Sequence, residues 1–435
     1  MRISILSITL IFLFASFTFS QNYPSFPIGQ YWQFPDARSL SLGGGGSVSL
    51  NSPAAILYNP AALTQIDHFA AGQFSLSLRK LEERRSYPLY DRFSGIIGDG
   101  IYAVNDNWFS RPQGALAIRL PLKGIPAISL AAGSFTEVDQ NYKYLEEVRQ
   151  NIFGDSLEAY NRIDFTGALQ RYSFAGAATL PFLPKLSLGV QAGILKGSLA
   201  YKKQIDFVKA TEADILSSAD RKLENTPLVL SFGGVYRVNE RISAGADVSL
   251  PYTVKYSATN ESGEMLNEEI GYPMKVTGAF EYRARQELQA RLNVDFTYEF
   301  WSNVTYSGSG ASENSVDNFG NVVPYTWEFS DVFDLKAGIE HIFYNQIPLR
   351  VGMQYRNSFR DKNETQTLLG AGTGYLASTW RLDVAGAFSR NSYRWPDLFD
   401  DALFGGNRSG SPIDNVEESY FFGQITFTYF LNLGK

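Results

Sequence analysis

The sequence predicts an all-β chain: a transmembrane antiparallel β-barrel of about fourteen strands with an N-terminal hatch or plug in its lumen. Three observations predict it. Segments that alternate apolar and polar residues with period two recur from residue 68 to the end, and a strand puts such alternate residues on opposite faces. The connections between them alternate short and long along the whole chain, as they do in barrels that span a membrane. Residues 21–67 are irregular and rich in Gly, Pro and Ser. Such a stretch cannot cross lipid by itself, because its backbone groups would go unsatisfied.

Residues 1–20 read as a signal peptide. Arg2 supplies a positive start, Ile3 to Phe19 form the apolar run, and small residues at Thr18 and Ser20 fit a cleavage site, leaving Gln21 as the mature start. No other segment approaches a transmembrane helix. The 435-residue chain is 44% hydrophobic with a mean hydropathy of −0.15, which suits a barrel, since only alternate residues face lipid. Aromatic residues, 14% of the chain, are favoured in strands and at membrane interfaces. A net charge of −6 without a basic stripe excludes nucleic acid as a partner. The absence of Cys excludes disulfides and thiolate metal sites. With only His68 and His341, both read as strand-end residues, there is little material for a metal centre or a catalytic triad. No metal and no cofactor are expected, and the chain is not expected to be an enzyme.

The strands are expected near 68–79, 114–121, 125–135, 172–180, 185–201, 227–238, 241–256, 273–284, 287–303, 331–344, 347–360, 368–378, 380–393 and 418–432. Long outer loops are expected at 80–113, 136–171, 202–226, 257–272, 304–330, 361–367 and 394–417. With an even strand count, both termini lie in the periplasm. The clearest strand is 289–301: Ala290, Leu292, Val294, Phe296, Tyr298 and Phe300 point one way, and Arg291, Asn293, Asp295, Thr297 and Glu299 the other. If the apolar set faces lipid, the lumen holds Asp247, Lys275, Glu281, Arg283, Arg291, Asp295, Glu299, Asp334, Lys336, Arg350, Arg356, Arg381 and Asp383. Charges of both signs suit a filled interior in which they pair. The aromatics Tyr298, Trp301, Trp380 and Tyr429 are expected in interface girdles. The domains are then 1–20 signal peptide, 21–67 hatch and 68–435 barrel.

The most informative stretch is 36–63. It holds Ala37, Arg38, the run Gly43-Gly44-Gly45-Gly46, and later Asn59-Pro60-Ala61-Ala62-Leu63. Asn followed by Pro starts a helix, Asn as cap and Pro at the first helical position. The glycines permit positive φ and close backbone approach. They do not form a phosphate loop, because no Gly-Lys-Ser/Thr follows. Arg38 is read as an anchor to lumen carboxylates such as Asp295 or Glu299.

This stretch resembles the N-terminal hatch of the FadL-type long-chain fatty acid transporters, where an Ala-Arg-x-x-Gly-x-Gly-Gly run leads to an Asn-Pro-Ala-Gly-Leu element. Ala37, Arg38, Gly43 and Gly44 match the first part, and Asn59, Pro60, Ala61 and Leu63 the second. Ser41 and Ala62 stand where that pattern has glycine. The resemblance implies a fourteen-stranded barrel closed by a hatch in the outer membrane of a Gram-negative bacterium. It also implies passive uptake of hydrophobic small molecules such as long-chain fatty acids. The same pattern is similar to that of PorV-type relatives, which implies the alternative of a scaffold whose outer loops bind a secreted protein for secretion or surface attachment.

Two further stretches are candidates. Leu145, Val148 and Ile152, beside Tyr144, have helical spacing within the loop 136–171, and a helical outer loop could form an apolar landing surface for a ligand. Ile205, Val208 and Ile215 offer the same in 202–226. Asp397, Asp400 and Asp401 lack EF-hand spacing and read as a solvated loop.

Overall fold

The computed structural model describes residues 28–29, 34–93, 95–122, 125–149, 156–209, 213–260, 265–284, 289–308, 314–316, 322–324, 328–404 and 413–432. The signal segment 1–20 and Ile152 lie outside them. Fourteen antiparallel strands close into one barrel. They are β1 (Ala70–Tyr90), β2 (Ile96–Leu122), β3 (Ile125–Asp139, resumed as Tyr142–Arg149), β4 (Leu157–Leu180), β5 (Leu183–Phe207) and β6 (Ile215–Leu223, then Leu228–Arg237). Next come β7 (Ile242–Ser249, then Tyr252–Asn260), β8 (Met265–Tyr272, then Lys275–Arg283) and β9 (Ala290–Glu299). The circuit ends with β10 (Val332–Ile342), β11 (Pro348–Asn357), β12 (Thr365–Leu376), β13 (Trp380–Pro396) and β14 (Ile413–Leu431). Pairing of β1 with β14, from Ala70↔Leu431 to Ser86↔Asn415, completes the circuit. Closure matters because an open sheet edge in hydrocarbon would leave a row of backbone groups without partners.

The sequence places the strand faces. On β14, Phe421, Ile425, Phe427, Tyr429 and Leu431 are exposed, while Gln424, Thr426 and Thr428 are buried. On β9, Leu292 and Phe296 are exposed and Asn293, Asp295 and Thr297 are buried. The exposed set forms the lipid-facing band. On β1 the band runs over Phe74, Leu76 and Leu78 and then gives way to Lys80, Glu82 and Arg84. There Lys80 pairs with Asp106 on β2 at 2.9 Å.

The expected long loops are corrected. Most of them are strand. β1 and β2, of 21 and 27 residues, pair on to Tyr90↔Ile96, far beyond the ~9–11 residues that cross a bilayer. The segment 136–171 is strand on both arms, and 257–272 is a hairpin. The ladder continues because its hydrogen bonds still add stability in water, though less than in lipid. What changes is the outward face, which turns polar. Trp301 is also corrected: it is not a girdle residue but lies fully buried, stacked on Phe359 at 4.7 Å and donating from Nε1 to Glu299.

Inside the barrel sit α1 (Ala37–Ser41), α2 (Ala55–Tyr58) and a 3-10 turn (Pro60–Gln65), nearly all buried.

Val294→Arg, on the lipid face, should cost about 2–4 kcal/mol and lower the temperature at which the SDS-resistant band of unboiled protein disappears. Asn293→Ala, one residue away on the lumen face, should leave that temperature within a few degrees. Equal losses at both positions would contradict the facing.

Candidate functional site

The plug is built from short pieces that need the wall to hold them. Asp36 caps α1, its Oδ1 accepting from Ser39 N at 2.7 Å, and α1 ends in a tight run with Gly43 at φ +67° and Gly44 at φ +80°. Asn59 caps the second turn, accepting from Ala61 N at 3.1 Å, with Pro60 at its first position. The Asn59 amide donates to the carbonyls of Gly234 (3.2 Å) and Ala246 (3.3 Å), tying this turn to β6 and β7.

The wall receives these pieces at rows of glycine. Gly338, Gly352 and Gly370 pair in register across β10, β11 and β12. The end of α1 lies directly on them. A methyl at Gly352 would sit 2.1 Å from the Leu42 carbonyl carbon, and one at Gly370 2.4 Å from the Leu40 oxygen. Gly189 and Gly233, paired across β5 and β6, receive the other end. There a methyl would sit 2.4 Å from Ala61 N and 2.1 Å from Asn59 Oδ1. Sequence reasoning missed these wall glycines. Their signal is glycine at successive lumen-facing positions of neighbouring strands, which only a known register reveals.

Arg38 is corrected as to its partner. It pairs with Glu340 of β10, not with Asp295 or Glu299, through Nε to Oε2 (3.0 Å) and Nη2 to Oε1 (3.2 Å). Both side chains are 3% exposed. Burial pulls the Arg38 guanidinium down, but the Glu340 carboxylate overrides it and leaves the group above its ordinary pKa. Its other contacts stay within the plug, Nη1 and Nη2 donating to the carbonyl and hydroxyl of Ser49. Glu340 then leads into a chain across the wall: Arg350 (2.6 Å), Asp383 (2.8 Å), and Arg381 (2.9 Å from Asp383). Arg381 returns to the plug at Asn51 Oδ1, 2.9 Å. Arg291 stands 3.7 Å from both Glu281 and Glu340. Asp295 holds the plug too, accepting from Ser47 N at 2.9 Å. Glu299 accepts from Trp301 instead. A buried pair left half-removed is expensive, so these contacts fix where the plug sits.

Two cavities adjoin the plug. One is lined by Phe34, Leu40, Phe109 and Phe422 together with Arg79, Arg111 and Asp139. Asp139 takes Arg79 at 3.1 Å and also Arg111. This apolar pocket lies at a break in the wall. β2 and β3 pair from Leu122↔Ile125 to Gly114↔Ser134 and then stop. β3 interrupts itself at Gln140 and Asn141 but pairs with β4 on both sides of that interruption. Across the break, Asn107 donates to the Lys143 carbonyl (2.9 Å) and Leu145 N to Asn105 Oδ1 (2.8 Å). The second cavity is polar, with Arg171, Asp247, Lys275, Glu299, Lys336 and Arg356 on its walls.

The candidate landing helix is corrected. Residues 142–149 are strand, paired with β4. Tyr144 and Val148 point inward, buried among Tyr142, Phe165, Trp395 and Phe399, and Leu145 points outward, 46% exposed. The helical spacing arose because Glu146, though buried, breaks the apolar alternation. Ile205 is buried in the same cluster, while Val208 and Ile215 are exposed. Phe109, Arg111 and Asp139, which help to make the apolar pocket, fell inside segments expected to be loops, and Arg79 stood at the end of the first expected strand.

Neither a protein-family model nor a curated protein matches the sequence. Solved structures do. A Pseudomonas aeruginosa FadL homologue aligns over 93% of this chain and 100% of its own, with a TM-score of 0.61 and 17% identity. The P. putida toluene transporter TodX aligns over 93% and 99%, with a TM-score of 0.57 and 12% identity. The Ralstonia pickettii toluene transporter TbuX aligns over 91% and 98%, with a TM-score of 0.55 and 15% identity. The chain therefore has the fold of the FadL-type outer-membrane transporters.

Gly352→Val should unseat the plug while sparing the strand ladder, and a rise in single-channel conductance in planar bilayers would report it. Gly278→Val, where an added methyl meets nothing within 4 Å, should leave conductance unchanged. Arg38→Ala should act in the same direction but more weakly, at about 3 kcal/mol, because Glu340 keeps Arg350.

Proposed function

We propose that this chain is an outer-membrane channel of a Gram-negative bacterium, exported through a cleaved signal peptide, for passive uptake of hydrophobic small molecules. The observation that carries it is the apolar pocket at the break between β2 and β3, held above a seated plug. Small-molecule sites are concave and mostly apolar, with a few placed polar groups, and this pocket has three phenylalanine rings with two arginines at its edge. The names of the structurally similar proteins, a FadL homologue and two toluene transporters, agree with hydrophobic cargo. Within that class we favour long-chain fatty acids, since Arg79 and Arg111 share the single carboxylate of Asp139 and so leave one positive charge in excess beside the rings. The ligand would enter among the outer strands and bind in the pocket. The break in the ladder gives it a path into the bilayer that does not require the plug to leave. Residues 21–67 serve as the plug and 68–435 as the barrel, and no energy-coupling step is needed, because concentration or capture beyond the membrane drives passage.

A second reading is a PorV-type scaffold for a secreted protein. The outer tip of the β1–β2 hairpin favours it, since Phe93, Ile96, Ile97 and Ile101 are more than half exposed well beyond the lipid band.

Reconstituted vesicles separate the two. Uptake of a fluorescent long-chain fatty acid should be saturable and should fall at least about tenfold with Arg79→Ala plus Arg111→Ala, the loss of one charge-assisted contact of about 1.5–3 kcal/mol. Deleting residues 22–60 should leave an assembled barrel with raised conductance. No uptake by the intact protein, with a retained surface protein in its native mass spectrum, would favour the scaffold.

A further inference from the structure

The two cavities meet at one side chain. Phe34, just ahead of α1, lines both the apolar pocket and the polar chamber. Its position is fixed from several sides. Its carbonyl accepts from Gln113 Nε2 of β2 (3.1 Å) and from Gln424 Nε2 of β14 (3.2 Å). The next carbonyl, of Pro35, accepts from Ser75 Oγ, and Ala37 N donates to Thr426 Oγ1 at 2.8 Å. The ring packs edge-on against Phe422, centroids 5.7 Å apart, on the pocket side. A methyl added at Gly44 would be 3.2 Å from the ring carbon Cε1, so the plug backbone also lies close to the ring. The ring is therefore packed between β14 and the plug's own glycine run, 8% exposed.

The spaces it divides differ in kind. In the polar chamber, Asp247 Oδ2 and Gln354 Oε1 are buried and have no hydrogen-bond partner among the described residues. Buried polar atoms of this sort are served by water when the cavity has room and other polar groups, and the charged walls here provide both. The apolar pocket has one such atom, Gln424 Oε1, on the side chain whose amide donates to the Phe34 carbonyl, and the Phe109 ring, 3% exposed, forms part of its wall. Water that crossed from the chamber would lower the gain from burying an apolar ligand, which depends on taking apolar surface out of water.

We propose that Phe34 is the partition between a hydrated chamber and an apolar ligand pocket, and thus the residue that makes the channel select apolar ligands over hydrated ones. This rests on the pocket being the ligand site, as proposed above.

The test uses the full-length barrel with 4-cyanophenylalanine incorporated at Phe109, whose nitrile stretch shifts when water hydrogen-bonds to it. In the otherwise native protein the band should lie at its water-free position. Phe34→Ala should move it to the hydrated position, and Phe34→Leu should leave it near the native one. If the alanine variant does not assemble, Phe34→Val opens the same gap. A nitrile already hydrated in the native protein, or unmoved in an assembled Phe34→Ala or Phe34→Val barrel, overturns the proposal. A second measurement is binding of an environment-sensitive fluorescent fatty acid. Phe34→Ala should weaken it about tenfold, or 1.4 kcal/mol, and shift its emission to the red, whereas Phe34→Leu should change both far less. Weakened binding without a red shift would mean lost packing alone and would also overturn it. If the native barrel binds no fatty acid but the nitrile behaves as expected, the partition stands and the uptake reading fails.

Discussion

In hydrocarbon no water is present to satisfy a backbone N–H or C=O, so the chain must satisfy every one of its own. In this chain the circuit of strands that closes from β14 back onto β1 meets that requirement. Other features follow from it. Once closed, the sheet has an outside that must be apolar and an inside that need not be. The inside can then collect the charges and small residues that a soluble sheet would have displayed to water. Those groups become the socket for the plug. The Arg38–Glu340–Arg350–Asp383–Arg381 chain runs between plug and wall without reaching lipid.

The same requirement explains why the break between β2 and β3 stands out. Beyond Gly114↔Ser134 the two strands share no ladder, and the side-chain amides of Asn105 and Asn107 make bonds across the gap instead. A membrane barrel tolerates such a gap only where the freed groups are buried in protein or line a cavity. Here Arg111, Gln113, Thr136 and Asp139, where the gap begins, line the apolar pocket. Function and tolerance of an irregular wall therefore fall at one place, with the paired Asp139, Arg79 and Arg111 supplying polar contacts where the ladder is missing.

Much of the barrel was legible from residues alone, and the boundary of legibility is physical. Within the lipid band the outward residues must be apolar, so Leu292, Val294 and Phe296 alternate cleanly with Asn293 and Asp295. Above the band that rule lapses. On β1, Lys80, Glu82 and Arg84 face out while Leu81 faces in, so the phase of the alternation inverts and the strand reads as a charged loop. Residues 142–149 failed for the same reason, with buried Glu146 among inward Tyr144 and Val148. The plug motif was legible because Gly43 and Asn59-Pro60 carry local backbone chemistry. The partner of Arg38 was not, because it depends on how the plug is rotated in the lumen, and both Asp295 and Glu340 are buried lumen carboxylates.

The glycine rows say something about the order of events. Gly338, Gly352 and Gly370 belong to three different strands, and Gly189 and Gly233 to two more. None of these seats exists until the strands have paired, and a slip of one residue would turn every glycine in a strand towards lipid and put a side chain in the plug's place. The plug thus acts as a gauge of assembly. Only a barrel zipped in the correct register has a surface flat enough to accept it, so a misregistered barrel is left open, its unfilled lumen exposed to whatever removes faulty proteins from the membrane.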